Sequence, residues 1–338
     1  MTPRERMLLA FDFGSPDRLP VYYQASTAGL YVHGQRLLDL FKAYPPDNAV
    51  RFDSIPQPPK EAFDSEGRYH EFKPDEFGTV WEYRIFGVAG HPHSYAMQSW
   101  SDPLPFPPLP APGSAEFEAA RQTIAEQKRN YLTFGGWISL FEKLHALRPF
   151  AQVLMDLADE NPALLAFLDR LTEFRHRQIA QLLAIGTDVL VLGDDWGTQT
   201  GLLVSPTTFR RIFKPRIREL IAHAKSGGGR VLYHTCGAAY PLYRDLVETG
   251  INALWHQDGL YDHESFAREA AANRTLLFLH PDRQYLVPRG TPEEIRSTIR
   301  RYREIHSRLG GGAVFNVEIE NDAPFENVEA LIKAVHER

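Results

Sequence analysis

Residues 187–193 read Thr-Asp-Val-Leu-Val-Leu-Gly, and this stretch decides the fold class. A short run of aliphatic residues is typical of a strand that is buried on both faces, as in a parallel sheet covered by helices. Helical patterns precede it at 137–184 and follow it at 205–226. We therefore expect a parallel β-strand with a helix on either side of it in the chain.

From residue 130 onward, strand and helix patterns alternate without interruption. Such alternation implies parallel strands joined by right-handed crossovers. No Gly-x-Gly-x-x-Gly motif opens a helix after a strand, so a dinucleotide-binding fold has no support. Eight candidate strands favour a closed (β/α)₈ barrel, or TIM barrel, in the α/β class. They span residues 18–24, 49–55, 130–135, 187–193, 230–234, 251–256, 275–280 and 313–319.

Residues 56–112 differ from the rest of the chain because they are rich in Pro, Asp, His and aromatic residues. Residues 79–86 alternate in the manner of an antiparallel strand. We interpret this segment as an inserted β-excursion near the barrel rim, which serves either as structure or as a cover for substrate. The whole chain, 1–338, is then one barrel domain, since such domains run to about 250 residues or more.

Composition excludes several classes of function. The 338 residues carry a formal net charge of −6 and no long basic run, which argues against a nucleic-acid partner. Cys236 is the only cysteine, so a disulfide within the chain and a Cys₄ or Cys₂His₂ zinc site are excluded. With no signal peptide and no apolar run of about 18 residues, we expect a cytoplasmic protein without a membrane segment.

Polar residues gather where the predicted strands end, which is where barrel enzymes carry their chemistry. Each of them has a structural alternative, because Asp in particular often caps the following helix. A dozen on one rim is nevertheless typical of a functional site, where neighbouring charges perturb one another's pKa. The set comprises Gln24, Asp53, Asp194, Asp195, His234, Cys236, His256, Asp258, His280, Asp282, Glu318 and Glu320.

His234 and Cys236 are the sharpest single feature of this set. Residues two apart on a strand point to the same side, so the imidazole and the thiol share one face. They are either two ligands of one metal or a core histidine beside a buried cysteine. On the last strand, Glu318 shares a face with Asn316 and Glu320, and it is a candidate third ligand.

Asp194 and Asp195 follow the most apolar strand, and Trp196 and Gln199 come directly after them. Consecutive side chains point to opposite sides of a strand, so only one of the two carboxylates enters the barrel. That carboxylate acts as a base, binds a cationic group or orients His234. Capping of a helix is the alternative.

Seven segments of this sequence, in order, resemble the uroporphyrinogen decarboxylase superfamily. They are 3–7 (Pro-Arg-Glu-Arg-Met), 16–21 (Pro-Asp-Arg-Leu-Pro-Val), 75–81 (Asp-Glu-Phe-Gly-Thr-Val-Trp), 205–206 (Ser-Pro), 213–216 (Phe-Lys-Pro-Arg), 234–237 (His-Thr-Cys-Gly) and 323–328 (Ala-Pro-Phe-Glu-Asn-Val). The resemblance spans nearly the whole chain. It implies a (β/α)₈ barrel, in agreement with the strand count.

The superfamily includes decarboxylases of uroporphyrinogen and methyltransferases that work with a corrinoid and zinc. The decarboxylases carry an Arg-Gln-Ala-Gly-Arg segment after the first strand, whereas residues 24–30 here contain no arginine. His234 and Cys236 match two zinc ligands of the methyltransferase branch. Its third ligand is commonly a cysteine near the end of the last strand, where this chain has Glu318 as the first candidate and Glu320 as the second.

We therefore expect a methyltransferase component that moves a methyl group between a small molecule and a corrinoid held by a partner protein. Zn²⁺ would be held by His234, Cys236 and Glu318. Two alternatives remain, namely a decarboxylase of another substrate and a barrel that only binds a small ligand. The candidate catalytic residues are Asp194, Asp195 and His256, and the candidate substrate-binding residues are Gln24, Trp196, Gln199 and His280.

Overall fold

The computed structural model describes residues 1–337 and contains one large parallel sheet and one small antiparallel sheet. Seven strands form the parallel sheet in the order β1-β10-β9-β8-β7-β6-β5, and β2-β3-β4 form the antiparallel one. The strands are β1 (Val21–Tyr23), β2 (Glu71–Pro74), β3 (Val80–Tyr83), β4 (His91–Ser94), β5 (Phe134–Ile138), β6 (Val189–Gly193), β7 (Arg230–Thr235), β8 (Ala253–His256), β9 (Leu276–Leu279) and β10 (Ala313–Val317).

The parallel sheet is curled, so that its two edge strands face each other. The rings of Tyr22 on β1 and Phe134 on β5 have centroids 5.0 Å apart. Both rings also contact Phe278 on β9, at 5.6 and 5.9 Å. A flat sheet of this size would separate its edges by about 29 Å, because neighbouring strands lie about 4.8 Å apart. The inside of the curl is therefore a packed core.

The predicted strand at 49–55 is wrong, because those residues have no strand geometry, and the sheet has seven parallel strands where we expected eight. Asp47 and Asn48 bind the free edge of β1 with their side chains instead. The Asp47 carboxylate accepts a hydrogen bond from the Val21 N–H at 2.8 Å. The Asn48 amide accepts from the Tyr23 N–H at 2.9 Å and donates to its carbonyl at 3.0 Å. These contacts satisfy backbone groups that a strand would otherwise have paired.

Side chains alternate between the inside of the curl and its outer surface, as strand geometry requires. Aliphatic and aromatic residues fill the inside, among them Val189, Leu232, Leu276, Phe278 and Val314. The residues between them point outward and pack under the helices in a second, larger cluster. This alternation fixes which polar residue at each strand end enters the mouth of the curl.

Fourteen α-helices are found in residues 1–337, and most of them cover the outer surface. They are α1 (Pro3–Phe11), α2 (Thr27–His33), α3 (Gln35–Ala43), α4 (Ala115–Gln127), α5 (Phe141–Leu147), α6 (Phe150–Ala158), α7 (Pro162–Ala184), α8 (Pro206–Thr208), α9 (Lys214–Ser226), α10 (Tyr243–Glu248), α11 (His263–Ala272), α12 (Leu286–Arg289), α13 (Pro292–Arg308) and α14 (Phe325–His336). In this described part of the chain, no helix has both the length and the apolar character needed to cross a bilayer.

The ends of several helices and strands around β5 follow from local sequence. The helical pattern at 137–184 is divided into α5, α6 and α7, with breaks at Pro149 and before Pro162. The strand begins at Phe134 rather than at residue 130, since the end of α4 continues into a turn. In that turn the Tyr131 N–H donates to the Gln127 carbonyl at 2.9 Å.

The excursion at 56–112 contains β2, β3 and β4, and it packs against three helices. The Thr79 hydroxyl donates to the carbonyl of Ala146 in α5 at 2.8 Å. The Trp100 indole N–H donates to Asp156 of α6 at 2.7 Å, and the Phe77 ring contacts Phe174 of α7. The predicted antiparallel strand at 79–86 is observed as β3.

Candidate metal and active site

The inner side chains at the ends of β6 and β7 are polar and meet at the mouth. The two strands pair in register, with Gly193 opposite His234. His234 shares the inner direction of Leu232, and Cys236 follows two residues later. Asp195 follows the neighbouring strand. The sheet therefore brings a carboxylate, an imidazole and a thiol together from two adjacent strand ends.

The three side chains are already in contact. The Asp195 Oδ1 atom lies 3.2 Å from His234 Nε2, and Cys236 Sγ lies 3.4 Å from the same nitrogen. Asp195 Oδ1 also accepts a hydrogen bond from the Cys236 N–H at 2.8 Å, which fixes the carboxylate. One ligand atom from each residue lies within 4.8 Å of the other two. Among residues 1–337 this is the one such group.

The spacing of these atoms suits a tetrahedral metal ion. Zinc bonds of about 2.0–2.3 Å place neighbouring ligand atoms roughly 3.4–3.6 Å apart. The observed separations of 3.2 and 3.4 Å are close to those values. Carboxylate, imidazole and thiolate are all zinc ligands, and three protein ligands leave a fourth position for substrate, as in catalytic zinc sites.

The second ring nitrogen of His234 has no hydrogen-bond partner among the described residues. Metal-bound histidines usually donate this nitrogen's proton to an outer acceptor. In His234 this nitrogen, Nδ1, is instead buried. The ring is held by aromatic packing, with Trp255 at 4.1 Å and Trp137 at 5.3 Å between ring centroids.

Electrostatics at the mouth favour a cation. Burial and then the charge of Asp195 raise the pKa of the Cys236 thiol to about 12. Burial would also raise the pKa of Asp195, but His234 and the Cys236 N–H lower it below its ordinary value. Burial and the charge of Asp195 raise the pKa of Glu142 to about 7. A bound divalent ion would stabilise the deprotonated thiol and carboxylates, because its charge reverses the local preference for protonation.

Glu318 lies outside this group, contrary to our expectation that it would complete the metal site. Its carboxylate pairs with Arg283 at 2.7 Å, and Glu320 pairs with the same guanidinium at 2.9 Å. The physical reason is strand order, since β8 and β9 lie between β10 and β7. Asp195, from the strand beside β7, occupies the place that we assigned to Glu318.

Asp194 and Trp196 point outward and do not reach the mouth. The Asp194 carboxylate accepts hydrogen bonds from the N–H groups of Leu140 and Glu142, at 3.0 and 2.8 Å, and so caps the start of α5. Trp196 is fully buried, and its indole N–H donates to the Tyr233 hydroxyl at 3.0 Å. The catalytic role of Asp194 and the substrate contact of Trp196 are therefore corrected to structural roles.

His256 also turns away from the inner surface, because it follows the inward-facing Trp255. Its Nε2 atom lies 2.8 Å from Asp258 Oδ1, and its ring packs 4.7 Å from that of Phe266 in α11. Both His256 and Asp258 are buried. We correct the predicted catalytic role of His256 to a positioning role for the loop after β8.

The remaining predicted residues are spread around the mouth. The Gln199 amide pairs with that of Gln257 at 3.0 Å. The Gln24 amide donates to Asn316 at 3.0 Å and borders the gap between β1 and β5. His280 lines a small cavity that Cys236 also borders. Of these three residues, His280 is the one that lines the same cavity as a candidate metal ligand, Cys236.

Four residues of the mouth escaped the sequence analysis. Trp137 and Glu142 flank the start of α5, where the Trp137 indole donates to Glu142 at 3.2 Å. Trp255 packs on His234, and Arg283 holds the two glutamates described above. For Trp255 the signal was present, since it precedes His256 on a strand and must face the opposite side.

The fold and the site together define a class, namely α/β proteins with a curled parallel sheet and a candidate metal group at the carboxyl ends of its strands. The sequence profile of the uroporphyrinogen decarboxylase (URO-D) family matches residues 116–338. The chain belongs to the uroporphyrinogen decarboxylase family. Comparison with curated protein sequences finds no match.

Several solved structures are similar to this chain at low sequence identity. A methyltransferase from Methanosarcina mazei is 17% identical with a TM-score of 0.62, over 99% of this chain and 98% of that one. A B12-independent methionine synthase from a Shewanella species is 10% identical with a TM-score of 0.43, over 81% and 74% of the two chains. A dihydropteroate synthase from Thermus thermophilus is 17% identical with a TM-score of 0.38, over 61% and 69%. The first of these supports the fold.

Proposed function

We propose that this protein is a zinc-assisted methyltransferase that moves a methyl group between a small molecule and a corrinoid carried by a separate protein. The observation that supports this proposal most strongly is the contact of Asp195, His234 and Cys236 at the mouth. Family membership and the fold shared with the Methanosarcina mazei methyltransferase favour the same chemistry. A single domain, with 56–112 as an insertion, would carry it out in the reducing cytoplasm.

Asp195, His234 and Cys236 would hold the metal. A bound zinc ion would supply Lewis acidity toward the heteroatom that carries the methyl group. Asp195 is held in place by the Cys236 N–H, and His234 by the two tryptophan rings. Because these contacts already hold the ligands in place, metal binding would lose little conformational entropy in bringing them together.

The reaction is a transfer of CH₃⁺ in either direction. Toward the corrinoid, the bond between the methyl carbon and its heteroatom breaks and the electron pair stays on the heteroatom. The methyl carbon then bonds to cobalt(I), which becomes methylcobalt(III), and the released heteroatom takes a proton from solvent or a nearby acid. His280 and Gln199 would bind the small molecule beside the metal ligands.

The test is a methyl-transfer assay with free cobalamin in place of the partner's corrinoid. Zinc-loaded protein is mixed with cob(I)alamin and with methanol, anisole or trimethylamine, and methylcobalamin is followed by its absorbance. We expect acceleration with at least one donor, and a loss of about 100-fold in Cys236→Ser, since even outer partners of metal ligands account for about 10–100-fold in metal affinity or activity. Glu318→Gln is the matched control and should retain activity. No acceleration with any donor, or equal rates in Cys236→Ser, would overturn the proposal.

A further inference from the structure

A small cavity lies beside the candidate metal ligands. Its volume is about 50 Å³, and it is lined by Cys236, Trp255, His256, Gln257, His280, Arg283 and Gln284. A water molecule needs roughly 10–15 Å³ by the same measure. The cavity therefore has room for a group of a few non-hydrogen atoms, at a point that the Cys236 side chain also borders.

His280, which lines this cavity, carries an unused hydrogen-bond donor. The Trp255 indole N–H donates to His280 Nδ1 at 3.1 Å, so the proton of the neutral ring is on Nε2. His280 is only 6% exposed, and its Nε2 atom is buried without a hydrogen-bond partner among residues 1–337. A buried donor without an acceptor costs about 1–3 kcal/mol. The arrangement is thus suited to a ligand that supplies an acceptor atom.

The charges around the cavity favour an uncharged ligand group. Arg283 is the one lining residue with a permanent positive charge, and both Glu318 and Glu320 already pair with it. Burial and the charge of Arg283 lower the pKa of His280 well below its ordinary value, which keeps the ring neutral. A carboxylate entering this cavity would find no unpaired cationic side chain among the lining residues, and burying an unpaired charge is costly.

We propose that this cavity binds an uncharged oxygen of the substrate, in an ether, hydroxyl or carbonyl group, through the His280 Nε2–H. Trp255 is then a positioning residue, because its indole fixes which ring nitrogen of His280 carries the proton. The inference rests on the proposed methyl transfer only in naming this ligand as the substrate. It assigns the substrate to neutral oxygen compounds and excludes carboxylates at this position.

The test uses three probes that share one carbon chain, namely propan-1-ol, propanoate and propylammonium. Protein labelled with ¹⁵N-histidine is titrated with each probe, with and without zinc, and the His280 Nε2–H resonance is followed by NMR. A His280→Gln variant assigns the resonance by its disappearance. Because it keeps an amide donor near that position, it should retain propan-1-ol binding, which calorimetry measures in this variant. His280→Phe removes the donor, and His91→Gln on the exposed strand β4 is the matched control.

We expect propan-1-ol to shift the resonance saturably, with an affinity at least about 10-fold above that for either charged probe, a difference of about 1.4 kcal/mol. Tighter binding of propanoate or propylammonium, or no saturable shift in the wild-type protein, would contradict the inference. Propan-1-ol binding without methyl transfer would leave the cavity assignment intact and refute the proposed function. Methyl transfer without a shift of the His280 resonance would refute the cavity assignment and leave the proposed function intact.

Discussion

At the scale of single residues, the direction of a side chain at a strand end decides what it does. Asp194 and Asp195 are adjacent, yet one caps α5 and the other contacts His234 Nε2 at 3.2 Å. The same alternation buries Trp196 and brings Trp255 onto His234. A residue's role at this mouth therefore follows from strand parity as much as from its chemistry.

Replacing Trp196 with Phe should affect stability and leave the site unchanged. The substitution leaves the buried Tyr233 hydroxyl without its indole partner, which should lower the free energy of unfolding by about 1–3 kcal/mol. Urea unfolding measures this loss, and zinc affinity should stay the same. Trp137→Phe is the matched control because Trp137 is 45% exposed and contacts His234. It should cost little stability, and a drop in zinc affinity confined to Trp196→Phe would contradict this account.

Part of the site could be predicted from the sequence. The shared direction of His234 and Cys236 follows from their spacing of two on a strand. The third ligand could not be chosen by parity alone, because Glu318 and Asp195 both point inward. Strand order decides between them, since β6 lies beside β7 whereas β10 does not. The predicted strand at 130–135 ended too early, because β5 extends to Ile138. Trp137 lies in this last part of β5 and Glu142 follows it, so their position at the mouth was hidden.

At the scale of elements, the free edge of β1 is closed by side chains rather than by a strand. Asn48 satisfies both backbone groups of Tyr23, and Asp47 binds the Val21 N–H. The buried Asp47 carboxylate also pairs with Arg6 and Arg18 and so connects α1 to β1. Asp47 and Asn48 thereby satisfy the backbone groups of β1 that the predicted second strand was expected to pair.

Replacing Asn48 with Ala should therefore lower the stability of the protein by more than the loss of one side-chain amide usually does. It leaves the N–H and the carbonyl of Tyr23 unpaired in a buried place, which should cost about 2–4 kcal/mol. Denaturant unfolding measures the loss. Gln35→Ala, which removes an exposed amide contact to Asp39, is the control and should change stability by less than about 0.5 kcal/mol. Equal effects of the two substitutions would refute the role assigned to Asn48.

Asp188 ties α1 and α4 to the start of β6, and this contact should depend on pH. Burial would raise the pKa of Asp188, but Arg4, Thr133 and Lys128 outweigh it and lower the pKa to about 2. A lowered pKa stabilises the fold above the unfolded value of 3.8 and loses that effect as pH falls toward 2. Asp188→Asn should thus cost about 2 kcal/mol at pH 7.

The difference in unfolding free energy between wild type and Asp188→Asn should shrink by about half at pH 3. Urea unfolding at both pH values measures it. Asp39→Asn, on the exposed side of α3, is the control. A difference that stayed constant between the two pH values would show that the carboxylate charge is not what stabilises this contact.

The elements after residue 130 were predictable because their strands are short aliphatic runs buried on both faces, each separated by a helix. The absence of a strand at 49–55 was not predictable, since the sequence pattern there resembles a strand. The neighbouring residues Asp47 and Asn48 make the contacts to the free edge of β1 instead. Whether an edge is closed by backbone or by side chains depends on tertiary geometry. Local periodicity carries no information about it.

At the scale of the whole molecule, one curled sheet collects the ends of seven strands at a single mouth. That mouth combines three candidate metal ligands with Glu142, Glu318 and Glu320, and its guanidinium from Arg283 is already paired. Its charge therefore suits a metal cation and a neutral small molecule better than a polyanion.

Uroporphyrinogen should not be a substrate, although the chain belongs to the family named for it. Its many carboxylates need arginine partners, and residues 24–30 contain none. Incubation with uroporphyrinogen, followed by chromatography of the porphyrins, should show no turnover beside a genuine uroporphyrinogen decarboxylase run in parallel. Formation of coproporphyrinogen at a comparable rate would mean that another set of cations holds the substrate.

The most direct test of the metal site is the zinc content of protein purified without a histidine tag, measured by elemental analysis. We predict about one zinc per chain in the wild type and in Glu318→Gln, whose carboxylate pairs with Arg283. Asp195→Asn and Cys236→Ser should lose most of it, since even outer partners of metal ligands account for about 10–100-fold in affinity. Wild-type protein without zinc after incubation with the ion, or unchanged zinc in Cys236→Ser, would contradict the account.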